Sequence, residues 1–83
     1  MLRVLFFARV REALDCASLE LEFAPGLAQL DDLQEHLCQR GEQWRAVLEE
    51  DNMIRAVNHV VAAGNQPLAD GDEVAFYPPV TGG

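Results

Sequence analysis

Basic residues and cysteines are scarce in this chain. Six Lys and Arg stand against fourteen Asp and Glu, so the formal net charge is −8 over 83 residues. A chain so short of positive charge is a poor match for nucleic acid or an anionic membrane, both of which attract basic surfaces. It favours a partner with a basic docking surface instead. Only Cys16 and Cys38 carry thiols. Two so far apart form neither a disulfide framework nor a Cys-x-x-Cys metal or redox motif, and the expected setting is a reducing, cytoplasmic one. Long apolar runs are missing too. The first ten residues are apolar but include Arg3 and Arg9, which suits neither a signal peptide nor a membrane span. There is no internal repeat, low-complexity block or linker before the last six residues.

What remains is one small domain with a core. Hydrophobic residues make up 49% of the chain, the share of a globular domain and not of a disordered one. A chain of this size buries only about 60% of the surface its unfolded form exposes. It has little room for an enclosed active site.

Leu2-Arg3-Val4-Leu5-Phe6-Phe7-Ala8 reads as a first strand, apolar and rich in strand-favouring residues. Residues 9–17 read as a connection. Ser18-Leu19-Glu20-Leu21-Glu22-Phe23 alternates with period two, which predicts a second strand with Leu19, Leu21 and Phe23 inward. The two strands are expected to pair as a hairpin with a long loop. Pro25-Gly26 breaks the pattern. Leu30, Leu33 and Leu37 then follow at helical spacing, with Asp31 and Asp32 in the first turn, where acidic groups suit the helix dipole, and Gly41 beyond the end. Gln29 is a poor cap for that helix. Trp44, Val47 and Leu48 suggest one further helical turn. Met53-Ile54-Arg55-Ala56-Val57 predicts a third strand, Val60-Val61-Ala62 a short fourth, and Glu73-Val74-Ala75-Phe76-Tyr77 the last, after a turn at Asp70-Gly71-Asp72. The expected fold is α+β: a mixed sheet of four to five strands with one main helix packed across it. Its first and last strands would be central. The domain is expected over residues 1–77, with a flexible tail over residues 78–83.

The tail is the most informative segment. Pro78-Pro79 ends the sheet, because proline lacks the N–H a ladder needs, and biases the last residues toward an extended form. Gly82-Gly83 closes the sequence. Two glycines add nothing to a core and are costly to order. They do make a thin tip, with no side chain beside the last carboxylate, that fits a narrow channel.

Three stretches together resemble a known family: Val4-Leu5-Phe6-Phe7-Ala8, then Leu68-x-Asp70-Gly71-Asp72-Glu73-Val74-Ala75-Phe76, then Pro78-Pro79-Val80-Thr81-Gly82-Gly83. They are similar to the MoaD/ThiS sulfur carriers, which have a ubiquitin-like β-grasp fold and an extended C-terminal tail. Residues 13–52 match only in pattern. The resemblance implies that the chemistry sits on the carboxylate of Gly83. A ubiquitin-activating-enzyme-like adenylating protein would spend ATP to make its acyl-adenylate. A sulfur donor would convert that to a thiocarboxylate. The tip would then enter the large subunit of molybdopterin synthase, in a heterotetramer, and give sulfur to precursor Z, a cyclic pyranopterin monophosphate, to build the molybdopterin dithiolene. Gly82 would give clearance, and Pro78, Pro79, Val80 and Thr81 would guide the tail. No cofactor is expected to stay bound. The catalytic pocket is expected on the large subunit, this chain being its sulfur-donating, non-catalytic partner. Rival readings are a carrier for thiamine or another thiolation pathway, a ubiquitin-like modifier joined through Gly83 to lysines, and a β-grasp binding module with an idle tail.

One helix covers one sheet face. Leu5, Phe7 and Tyr77, joined by Val61, are therefore expected to form an exposed apolar patch that docks a protein. The alternative is that loops cover them. Cys16 is placed in a loop and Cys38 one residue past the helix stripe, each read as a small hydrophobe and not a relay. His36 and His59 are isolated, with no second ligand at metal spacing, and no metal site is expected. Glu49-Glu50-Asp51 reads as a solvated run, and Trp44 as core.

Overall fold

The computed structural model describes residues 1–79. Five strands form one sheet: β1 (Leu2–Phe6), β2 (Ser18–Leu21), β3 (Ile54–Val57), β4 (Val60–Val61) and β5 (Glu73–Tyr77), in the order β2-β1-β5-β3-β4. The central pair β1 and β5 is parallel, and every other pair is antiparallel. Three helices accompany the sheet: α1 (Ala8–Leu14), α2 (Leu30–Cys38) and α3 (Glu42–Leu48), with a 3-10 turn at Pro25–Leu27. This is the ubiquitin-like β-grasp arrangement.

Alternation along the strands builds the core. Leu2, Val4 and Phe6 of β1 and Val74 and Phe76 of β5 point the same way and are at most 1% exposed. The Phe6 ring stacks on Phe76 at 5.9 Å and meets the edge of Trp44 at 5.5 Å. From the helix side, Leu30, Leu33 and Leu37 of α2 are fully buried. Their spacing of three and four residues puts them on one face. Asp31 and Asp32 do occupy the first turn of α2, and Gln29 at its N-cap makes no side-chain cap bond.

Residues 9–17 are not simply a connection. Ala8 to Leu14 forms a seven-residue helix whose Val10 and Leu14 are buried. The partners β1 and β2 are antiparallel as expected, but a helix spans much of the gap between them. The turn expected at Trp44 is likewise a full helix, α3. Trp44 is half-buried and packs against the core.

Two turns lock the sheet. Gly71 takes φ +96°, a left-handed conformation that glycine adopts without a Cβ clash. Its N–H donates to the Met1 carbonyl at 3.0 Å, and the Met1 ammonium pairs with Asp70. Asn58 and His59 both have positive φ, at 49° and 70°, the geometry of a two-residue hairpin turn that matches strand twist. The Asn58 side chain ties that hairpin to β5: its Oδ1 accepts from the Glu73 N–H at 3.0 Å, and its Nδ2 donates to Asp72 at 2.9 Å.

Candidate functional site

All three helices pack on one sheet face. Among the described residues no helix covers the other face, and strand register decides what it shows. Leu5 of β1 pairs with Ala75 of β5, Ala75 with Ala56 of β3, and Ala56 with Val61 of β4. These four side chains form a row across four strands. One step toward the strand end, Tyr77 pairs with Ile54, and the Phe7 ring lies on the Tyr77 ring at 4.7 Å and 5° from parallel. The sequence-predicted residues Leu5, Phe7, Val61 and Tyr77 thus share one face.

Their exposure differs along the row. Val61 is 66% and Phe7 38% exposed, whereas Leu5 and Tyr77 are half-buried. Ile54, Ala56 and Ala75 complete the patch and were not among the residues expected in it. Their signal was the period-two alternation of β3 and β5, once the register between those strands is known. At the far end of the sheet the same face turns polar. Arg3 approaches Glu20 at 3.8 Å, and His59 lies 3.5 Å from Glu73. The apolar end is the end where β5 finishes.

That end is also the root of the tail. Pro78 and Pro79 follow Tyr77 outside the sheet and are half-buried. Val80, Thr81, Gly82 and Gly83 lie outside the described residues, so the expected threading and reactive positions are assigned from sequence alone.

The helix side has a different character. Arg45 of α3 grips Glu35 of α2 with two hydrogen bonds, at 2.7 and 3.2 Å, and Glu49 with one at 2.7 Å. The hydrogen bonds from Arg45 hold the Glu35 carboxyl below its ordinary value of 4.5. Arg9 pairs with Glu50 at 3.2 Å, and Glu49, Glu50 and Asp51 are all exposed. Arg55, only 16% exposed, reaches from β3 to Asp31 and Gln34 of α2 at 2.6 and 2.9 Å. An open cleft of about 230 Å³ lies here, lined by Asp31, Gln34, Glu35, Cys38 and Glu49. Cys38 is 3% exposed, and burial, with Glu49 nearby, pushes its thiol up. Cys16 sits in the loop after α1, half-buried, with its Sγ 3.5 Å from the Ser18 carbonyl. Both side chains pack with the helix-side core.

His36 and His59 are exposed and lie on different elements. No group of three His, Cys, Asp or Glu side chains among the described residues is placed to hold a metal. No helix among them is long and apolar enough to cross a membrane. What the described part offers chemically is recognition: an apolar sheet face that leads into a tail.

Known proteins resemble this chain in sequence and in fold. The ThiS family model matches residues 4–83. The molybdopterin synthase sulfur carrier subunit of Escherichia coli is 41% identical, over the whole of both chains. A solved structure from Pyrococcus furiosus superposes with TM-score 0.77 at 32% identity, covering 95% of this chain and 97% of its own. A chain in the complex of subunits 1 and 2 of the Helicobacter pylori molybdopterin-converting factor superposes with TM-score 0.69 at 26% identity, covering 99% and 97%.

Proposed function

The chain belongs to the ThiS family, and from that premise we propose that it is the sulfur carrier subunit of molybdopterin synthase. One observation carries the reading. The apolar row Leu5, Ala75, Ala56, Val61 and the Phe7–Tyr77 pair lie at the end of the sheet from which Pro78 and Pro79 depart. A partner seated on that face would lie beside the tail and receive its tip.

The partner supported by the comparisons is a large subunit, since a structural relative is solved as a complex of subunits 1 and 2. The apolar face supplies docking area and the tail supplies the reacting group. A free carboxylate at Gly83 is a poor acyl donor: its charge repels nucleophiles, and oxide is a bad leaving group. An adenylating protein removes both obstacles. The carboxylate oxygen attacks the α-phosphorus of ATP, pyrophosphate leaves, and AMP becomes the leaving group on the acyl carbon. A sulfide equivalent from a sulfur donor displaces AMP and leaves a thiocarboxylate. In the large subunit that sulfur passes to precursor Z, and water restores the carboxylate. Two such transfers complete one dithiolene, so two carrier chains in a heterotetramer suit the product. Gly82 and Gly83 fit a channel because neither carries a side chain. ATP belongs to the adenylating partner and is not held here. With two free thiols, one buried, the chain suits the reducing cytoplasm.

Reconstitution tests this reading. The chain is combined with the cognate large subunit, adenylating protein, ATP, a sulfur source and the pterin precursor. The full chain is expected to support dithiolene formation. A chain lacking Gly82 and Gly83 is expected to bind the large subunit and support none. Equal product from both chains contradicts the proposal.

A further inference from the structure

We infer that the stacked rings of Phe7 and Tyr77 position the tail, as well as adding area to the docking face. The inference rests on the reading of the tail as the working end. Tyr77 is the last residue of β5, and Pro78 follows it directly. Phe7 is the first residue past β1, the parallel neighbour of β5. The Phe7 N–H donates to the Phe76 carbonyl at 3.2 Å, so the ladder continues one residue beyond β1. On top of that bond the two rings lie 4.7 Å apart and 5° from parallel. The last residue before the tail is therefore held by its strand pairing and by its ring.

The core does not require this pair. Phe6 and Phe76, one residue earlier on each strand, already stack at 5.9 Å on the helix-covered face. Phe7 and Tyr77 repeat that pairing on the open face, and neither belongs to the buried core. What the second pair fixes is the backbone direction at Tyr77. Proline restricts its own φ and the conformation of the residue before it. Two prolines after a fixed Tyr77 favour an extended course for the chain through Pro79, the last described residue. A tail already aimed gives up fewer conformations on entering a channel, and affinity falls in proportion to the fraction of chains that are correctly aimed.

Contact and aiming are separated by asking whether the effect of Phe7 depends on the tail. Binding to the cognate large subunit is measured for the full chain, for Phe7→Leu, for a chain ending at Pro79, and for that shorter chain with Phe7→Leu. The shorter chain keeps every core residue from Leu2 to Phe76. If the pair aims the tail, Phe7→Leu weakens the full chain about two- to tenfold more than the shortened one, the range an aromatic pair supplies. Phe7→Tyr keeps the binding of the full chain, and Phe7→Leu in a Tyr77→Leu background adds no tail-dependent loss. An equal loss in full and shortened chains overturns the inference and leaves Phe7 a contact residue alone. Failure of the natural chain to bind the large subunit is a separate result: it removes the functional reading, and the inference with it.

Discussion

Ala56 and Ala75 oppose each other across β3 and β5, and both are nearly buried, at 3% and 6% exposed, on the face that no helix covers. Their neighbours in the row, Leu5 on one side and Val61 on the other, stand higher than the two methyl groups between them. The face is thus a shallow apolar trough and not a flat sheet surface.

Val61→Glu places a charge on the rim of that trough. Val61 is 66% exposed in the free chain, so the thermal stability of the chain should change by no more than about 0.5 kcal/mol. Binding to the large subunit should weaken at least about tenfold, or roughly 1.4 kcal/mol, because the carboxylate would be desolvated without a partner. A thermal melt checks the first number and calorimetric titration with the large subunit the second. Unchanged affinity would remove this face from the interface.

Gly71→Ala tests the turn that holds the first residue to the last strand. A Cβ there meets nothing within 4 Å, but the position has φ +96°. The cost is therefore conformational, about 1–3 kcal/mol. For a domain of this size each kcal/mol moves the midpoint by about 4–8 °C. A thermal melt with no downward shift would show that the turn adapts.

The Glu35–Arg45 pair has a defined pH signature. Hydrogen bonds from Arg45 hold the folded Glu35 carboxyl below its ordinary 4.5. A group whose pKa is lowered on folding stabilises the fold above its unfolded value and loses that contribution as pH falls through the folded value. Glu35→Gln should therefore lower the melting temperature slightly at pH 7, and the gap should close below about pH 4.5. Both side chains are substantially exposed, so the effect is small and should shrink further in high salt. A gap that is constant with pH would point to packing and not to the charge pair.

The two thiols should differ in reactivity. Cys38 is buried and its thiol is pushed up by that burial, so little thiolate is available at neutral pH. Cys16 is only half-buried. Timed alkylation of the native chain should label Cys16 first and Cys38 only when the chain opens. Equal rates would mean that the α2 face opens readily.

Much of this layout was legible in the sequence because its signals are local. Period-two alternation marked β2 and β5, and the Leu30, Leu33, Leu37 stripe marked α2. Helix α1 was not read, for physical reasons. It is seven residues long, its N-cap Phe7 offers no capping side chain, and only Val10 and Leu14 mark its buried face. It forms because β5 and α3 are there to pack against, which no local signal reports. The open face shows the same limit. Leu5, Phe7, Val61 and Tyr77 could be chosen from alternation within their own strands. Ala75 shares its face with Tyr77 by alternation within β5, but Ile54 and Ala56 needed the register between β3 and β5, which is set by the pairing and not by either strand alone. The tail was read from its composition, and Gly82 and Gly83 lie outside the described residues.

The central claim is that Gly83 carries the sulfur. The direct measurement is the intact mass of the chain after incubation with ATP, a sulfur source and its cognate adenylating protein, mapped to the C-terminal peptide. The account predicts one oxygen exchanged for sulfur on Gly83, and no exchange when ATP is left out. An unchanged terminus, with the same adenylating protein active on another carrier, would contradict it.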